Sequence, residues 1–257
     1  MSDFDFRFGG LQRLYGKDMV ERFRSAHIAV IGIGGVGSWV AESLARSAIG
    51  EITLIDLDDV CTSNINRQIC ALDPTVGHMK AEVMAERIQQ INPEAKVNVI
   101  SDFITPDNIT GYITQSINVV VDAIDSVKPK ASLIAHCKRN KIPVIMVGGA
   151  GGQKDPTRVQ VKDLNRTQQD PLAAKVRSEL RRFYNFSRNP KRRYGVECVH
   201  SEEQLTYPMP DGSVCQTKSF TDGSTRLDCA SGFGATSTVT ATFGFVAAAR
   251  ALEKLMK

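Results

Sequence analysis

Residues 28–38 read IAVIGIGGVGS, and this run constrains the fold more than any other part of the chain. Ile28 to Ile31 are small or β-branched and apolar without interruption, as in a parallel strand buried on both faces. Gly32, Gly34, Gly35 and Gly37 then break the run, and a helix-like stretch follows from Ser38 to about Ser47. A strand, a glycine turn and a helix in that order set a helix N-terminus against phosphate, because the first backbone N–H groups of a helix have no partner within it. Asp56 stands at the end of a second apolar run, Ile52 to Ile55, where an acid meets a ribose hydroxyl.

The glycine pattern leaves the ligand open. Gly32, Gly34 and Gly37 also satisfy the dinucleotide fingerprint, so an NAD-dependent oxidoreductase is one outcome. The residues after Asp56 favour another. Asn64, Asn66, Arg67 and Gln68 form a dense polar cluster, and Lys80 opens a further helix. An arginine and a lysine near a phosphate loop suit a triphosphate whose charge must be held and moved in a transition state. Asp58 and Asp59 read either as a solvated turn or as ribose or metal-shell contacts. Asp122 and Asp125 lie where the strand 118–121 gives way to a loop. Carboxylates at a strand's C-terminal end, facing a triphosphate, suit Mg²⁺; Asp125 is the better placed of the two, and Asp122 reads also as a cap of the following loop.

Short apolar strands alternate with amphipathic helices through the first half, the pattern of βαβ units. Met79, Val83, Met84, Ile88 and Ile91 recur at helical spacing until Asn92-Pro93. Strands are predicted at 97–100 and 143–147, a helix at 132–141, and a second glycine turn at 148–152. Residues 201–228, rich in Pro, Gly, Ser, Thr and Asp, predict a long loop.

The motifs GxGGxGS, DxD, NxNRQ, GxxK and DxxD, in this order over roughly residues 7–152, resemble the ubiquitin-activating-like MoeB/ThiF/HesA superfamily. RFGGLQRLYG, DAIDSVKPKA, GGAGGQKDPT, QDPLAAKVR and DCASGFGATSTVTATFGFVAA resemble most its tRNA threonylcarbamoyladenosine dehydratase (TcdA/CsdL) group. The resemblance implies an α/β fold: a Rossmann-like ATP-binding sheet with helices on both faces, residues 1–157, followed by a basic C-terminal lobe, 158–257, that is not an independent domain. It implies MgATP-dependent adenylation of a carboxylate and closure of the threonylcarbamoyl group into a ring on tRNA adenosine, next to the anticodon. Carried over by position, Gly32, Gly34, Gly35, Gly37 and Ser38 cradle phosphates and Asp56 holds the ribose, with Asp58 counted in the same nucleotide site. Asn66, Arg67 and Lys80 contact the triphosphate, Gln68 belongs to the same nucleotide site, and Asp125 binds Mg²⁺. Arg13 reaches the γ-phosphate across a homodimer boundary. Arg7 and Arg13 flank Gly9-Gly10 where sulfur-carrier activators hold a closer arginine pair, and Ser126 replaces the usual asparagine after Asp125. The resemblance also implies a partnership with a cysteine desulfurase or sulfur-acceptor system.

The alternative within the superfamily is adenylation of the C-terminus of a ubiquitin-like sulfur-carrier protein. Such activators carry two CxxC pairs for zinc; here Cys61, Cys70, Cys137, Cys198, Cys215 and Cys229 form no CxxC. A non-catalytic nucleotide sensor is a further class, for which no motif speaks. No secretory signal and no secreted-type cysteine framework is visible, so a cytoplasmic setting is expected.

Charge is uneven. From Arg158 to Arg193 eleven basic residues meet three acids, a net of +8, which leaves −4 for the rest of a +4 chain. Phe183, Tyr184, Phe186 and Tyr194 lie among the charges. Basic residues interleaved with rings suit tRNA, with phosphates held by charge and bases stacked on rings; the competing outcome is a solvated helix face with its rings in the core. His27, His78, His136 and His200 are scattered and read as structural or surface residues. Ser231, Thr236, Ser237, Thr238, Thr240 and Thr242 interrupt the apolar tail, which predicts a packed or dimer-interface helix and no membrane span.

Overall fold

The computed structural model describes residues 2–209, 211–216 and 233–257. Two helices, α1 (Asp3–Tyr15) and α2 (Lys17–Arg24), precede the sheet. The first half then alternates: β1 (His27–Ile31), α3 (Gly37–Arg46), β2 (Glu51–Ile55), α4 (Lys80–Ile91), β3 (Lys96–Ile100), the short α5 (Ile109–Tyr112), β4 (Val119–Asp122), α6 (Val127–Arg139) and β5 (Val144–Val147). The basic segment supplies β6 (Val159–Asp163) and α7 (Pro171–Phe183), and β7 (Glu197–Ser201) follows. A two-stranded hairpin, β8 (Tyr207–Pro208) with β9 (Val214–Cys215), and the terminal α8 (Ser237–Leu255) complete the described residues.

The main sheet has seven described strands in the order β3-β2-β1-β4-β5-β7-β6. All are parallel except β6, which runs antiparallel to β7 at the edge. The order steps outward from β1 in both directions, so the chain reverses at the gap between β1 and β4. In open α/β sheets that gap, at the strands' C-terminal ends, is where ligands bind.

Both faces of the sheet are covered, which explains why β1 reads as an unbroken apolar run. Ile28 and Val30 face a core shared with α3, α4 and α8. Ala29 and Ile31 face the opposite core, shared with α5, α6 and α7. Each fully buried Ile or Leu in these layers contributes roughly 1.5–3 kcal/mol. α8 lies over β4 and β5 and against α3, burying Val239, Phe243, Ala247, Ala248 and Ala251. Among the described residues no helix is long and apolar enough to cross a membrane.

Helix α6 starts at Val127, five residues before the sequence prediction. Pro129 reads as a breaker in sequence, but proline is tolerated in a first turn, where the N–H groups lack intrahelical partners. Of the expected loop 201–228, residues 210 and 217–228 lie outside the described residues, as does Cys229. Cys198 is buried within β7, and its thiol is pushed well up by burial.

Candidate nucleotide site

The glycine turn leaves β1 with Gly32 at φ +84° and reaches α3 at Gly37. A Cβ at Gly37 would lie 1.7 Å from the Gly32 carbonyl oxygen, so only glycine permits the turn to close this tightly. Ser38 Oγ donates to the Gly34 carbonyl at 2.7 Å. Helix α3 begins without a side-chain cap; Ser38 N and Trp39 N donate to the Gly34 and Val36 carbonyls, which leaves the Val36 and Gly37 N–H groups for an anion.

Asp56 follows β2 and is nearly buried. Its carboxylate accepts from Ile33 N at 2.5 Å and from Asp58 N at 2.8 Å, tying the glycine turn to the next loop. Burial pushes this carboxyl up, against the lowering effect of its two backbone donors. Asp58 is exposed and meets Lys80, whose Nζ donates to Asp58 Oδ2 at 2.9 Å. Lys80 is the first residue of α4 and is only 6% exposed. Its backbone N–H also donates to the Asp58 carbonyl, and Asp59 bridges Met79, so this lysine sits in a strapped corner.

Arg67 is anchored from two helices. The indole N–H of Trp39 on α3 donates to the Arg67 carbonyl at 3.0 Å, and Thr240 Oγ1 on α8 does so at 3.3 Å. The Arg67 stem lies 3.5 Å from the position of a Cβ at Gly35, over the glycine turn. Its guanidinium donates to the Ser63 carbonyl at 2.6 Å and to Asn66 Oδ1 at 3.0 Å. Asn66 Nδ2 donates to the Ala235 carbonyl at 2.8 Å, and Gln68 is buried beside Gly34. Trp39 and Thr240 carry no motif; only the pairing of α8 with α3 brings them to Arg67.

The loop after β4 closes the third side. A Cβ at Gly32 would lie 2.9 Å from the Ala123 carbonyl oxygen, so this loop leans on the glycine turn. Asp125, two residues on, is exposed and has no hydrogen-bond or ion-pair partner among the described residues. An oxygen donor free of protein partners at this edge fits a hard cation. Asp122 does not. It is fully buried against Lys130, whose Nζ donates to Asp122 Oδ1 at 2.9 Å, to the Asp122 carbonyl at 3.0 Å and to the Ile124 carbonyl at 2.8 Å. The carboxylate considered at position 122 as a metal donor therefore serves the loop instead. No group of three or more His, Cys, Asp or Glu suited to a metal occurs among the described residues.

Arg13 stands apart. Helix α1 packs through Phe4 and Phe8 on Val20 and on Ala48, beyond the far end of α3. The exposed Arg13 side chain folds back along its own helix to 3.6 Å from the position of a Cβ at Gly9.

In the basic segment, three of the four rings belong to the core: Tyr194 is buried, and Tyr184 and Phe186 pack against the same cluster. Phe183 alone is exposed, with the Arg182 guanidinium over it at 5.0 Å. Arg181 is bound inward to Tyr194 Oη at 2.8 Å and Asn165 Oδ1 at 2.7 Å, whereas Arg182, Arg188, Lys191, Arg192 and Arg193 face solvent.

The model of the ThiF family matches residues 10–257. A tRNA threonylcarbamoyladenosine dehydratase of Escherichia coli (strain K12) is 60% identical over 97% of this chain and 93% of that protein. Its namesake in Haemophilus influenzae is 56% identical over all of this chain and 96% of its own length. The solved structure of the E. coli tRNA N6-threonylcarbamoyladenosine dehydratase in complex with ATP superposes with a TM-score of 0.88 at 55% identity, covering 99% of this chain and 96% of that one. The chain belongs to the ThiF family, within its group of tRNA threonylcarbamoyladenosine dehydratases.

Proposed function

We propose that this chain uses ATP to close the threonylcarbamoyl group of N6-threonylcarbamoyladenosine in tRNA into a ring. The observation that carries this reading is the meeting of glycine turn, Arg67, Lys80 and Asp125 at one sheet edge, in a chain similar over nearly its full length to the E. coli dehydratase.

A carboxylate is a poor electrophile because its oxygen leaves badly. Its attack on the α-phosphorus of ATP forms an acyl adenylate and releases pyrophosphate. A carbamoyl heteroatom of the same substrate then attacks the activated carbonyl, loses its proton and expels AMP. The carboxylate oxygen departs with AMP, so the substrate loses one water. The attack is internal, and its high effective concentration replaces any need for a thioester relay.

The α3 N-terminus and the glycine turn hold phosphate oxygens, and Asp56 holds the ribose side. Arg67 and Lys80 take up charge as pyrophosphate departs; Asp58, already paired with Lys80, keeps that ammonium in place. Asn66 and Gln68 support the same corner. Asp125 is the residue for Mg²⁺, which when bound neutralises triphosphate charge and polarises its oxygens. Arg13 serves a second copy of this chain, a role that rests on the resemblance; its own α1 packs through Phe4 and Phe8 on Val20 and Ala48. The active form is thus a homodimer with composite sites. Residues 1–157 make up the adenylation core, and 158–257 complete it and meet tRNA through the exposed cations; the setting is cytoplasmic, where tRNA is modified. A cysteine desulfurase or sulfur-acceptor system is a proposed partner that rests on resemblance alone.

The test is a pair of ATP-cleavage assays. Release of AMP and pyrophosphate is expected with tRNA that carries the open threonylcarbamoyl group. Pyrophosphate release with a Gly-Gly-tailed carrier protein, the AMP remaining on its C-terminus, and none with tRNA, would favour the sulfur-carrier alternative.

A further inference from the structure

The proposed nucleotide contacts occupy the ends of β2, β1 and β4. The ends of β5 and β7, next along the same edge, hold a second polar site. Gly148 and Gly149 follow β5, and Asp170 closes over them. Gly149 N donates to Asp170 Oδ2 at 3.1 Å, and a Cβ at Gly148 would lie 1.8 Å from that oxygen. The other oxygen, Oδ1, accepts from Ala173 N at 2.9 Å and caps α7. Asp170 is 4% exposed, and burial pushes its carboxyl up.

Beside Asp170 opens a cavity of about 360 Å³, within the range of small-ligand sites. Gln169, Asp170 and Arg177 form one wall, and Gln204, Tyr207 and Gln216 the other. Gln169 is held at φ +56°, in the left-handed region that side chains other than glycine rarely adopt. The Arg177 guanidinium is already engaged, donating to Thr167 Oγ1 and to the Leu164 carbonyl. With Asp170 on the same wall, the cavity carries little net charge, unlike a phosphate site. Carboxamides offer a donor and an acceptor in one plane, which matches the edge of a heteroaromatic base, and a tyrosine ring offers a face to stack on.

We infer that this cavity takes the purine base of the modified nucleoside; the assignment rests on the function proposed above. Adjacent strands lie about 4.8 Å apart, so the ends of β5 and β4 are one such step from each other. The carbamoyl-threonine arm on the base is about one and a half residues of chain, roughly 5 Å when extended. A base held beside Asp170, whose carboxylate accepts from Gly149 N at the end of β5, therefore directs its carboxylate arm toward the end of β4, where Asp125 stands.

Ala174 lines the same cavity from α7, and its replacement by phenylalanine fills the space. The experiment measures steady-state ring closure over a range of concentrations of an anticodon stem-loop RNA carrying the open nucleoside, with ATP binding by calorimetry beside it. For Ala174→Phe, KM for RNA is expected to rise at least tenfold while the Kd for ATP stays within twofold of the parent. Gln204→Ala, at an exposed position that leaves the helices untouched, is expected to raise the same KM severalfold, and it decides the matter if the larger substitution loses ATP binding. The slope of RNA affinity against salt should not change in either variant, because a base contact releases no counterions. Parental KM values for RNA in folded variants overturn the assignment. A parent protein that closes no ring on this RNA overturns the functional reading itself, and the cavity's role falls with it.

Discussion

Lys130 and Asp122 form an ion pair 2.9 Å apart with both side chains fully shielded from solvent, and the same ammonium holds the Ile124 carbonyl at 2.8 Å. The pair thus fixes the start of the loop that presents Asp125. A buried charge left without its partner costs about 3–5 kcal/mol, so Lys130→Met should lower unfolding stability by that order in a urea titration. Asp122→Leu combined with Lys130→Met should recover most of the stability but little turnover, since the Ile124 carbonyl has lost its donor. Full turnover in the double variant would remove the pair from any positioning role.

Asp125 carries no structural load. Asp125→Ala should leave stability within about 0.5 kcal/mol, as exposed substitutions usually do, while ATP-dependent turnover disappears. Unaltered turnover over a Mg²⁺ titration would exclude this carboxylate from the metal site.

Arg67 and Lys80 separate by what holds them. Removal of one transition-state donor typically costs about 10²–10³ in kcat. Lys80→Met keeps the buried stem and removes the ammonium, so the loss should fall on kcat with the fold intact. Arg67→Ala should in addition raise the KM for ATP, because its stem covers the glycine turn at Gly35. A kcat within twofold of the parent in both variants would contradict their assignment to the triphosphate.

How far the sequence was legible depends on the range of the interactions involved. The glycine turn, Asp56 and the strands at β1, β2 and β4 were readable because local spacing dictates them. Lys130 was not, because it looks like any helix-surface lysine until β4 pairs with β1 and leaves Asp122 in the core. The strands β6 and β7 are short, mixed in character and far from the glycine motif, so the basic segment's share in the sheet was not visible. Tyr184, Phe186 and Tyr194 alternate with charges in sequence, yet they turn into the α6–α7 core.

That burial changes which cations test tRNA binding. Arg181 is committed to Tyr194 and Asn165, so its loss would confound stability with affinity. Neutralising Arg182, Arg188, Arg192 and Arg193 should weaken tRNA binding and flatten its salt dependence, by roughly 0.7–0.9 in log–log slope for each phosphate left without a cation. ATP affinity should hold. A parental slope in filter binding would move the tRNA platform elsewhere.

His200 is fully buried on β7, and neither ring nitrogen has a hydrogen-bond partner among the described residues. Burial holds its pKa below the ordinary value despite the opposing pull of Asp170 and Glu202, with Lys162 acting in the same direction as burial. The unfolded chain takes up this proton below about pH 6.5 while the folded chain resists. Protonation therefore favours unfolding, and the contribution of neutral His200 to stability is lost as pH falls from about 6.5 toward its lowered folded pKa. The slope attributable to it is at most about 1.4 kcal/mol per pH unit. His200→Leu should reduce the loss of stability between pH 7 and 5.5 relative to the parent, in paired urea titrations. Identical slopes would mean that the folded protein protonates His200 freely.

Mass spectrometry of nucleosides from tRNA treated with the purified protein, Mg²⁺ and ATP tests the central claim most directly. The open threonylcarbamoyladenosine should lose one water, with one AMP and one pyrophosphate formed per ring closed and no change when ATP is withheld. A nucleoside of unaltered mass, from protein that binds ATP and tRNA in the same sample, would contradict it.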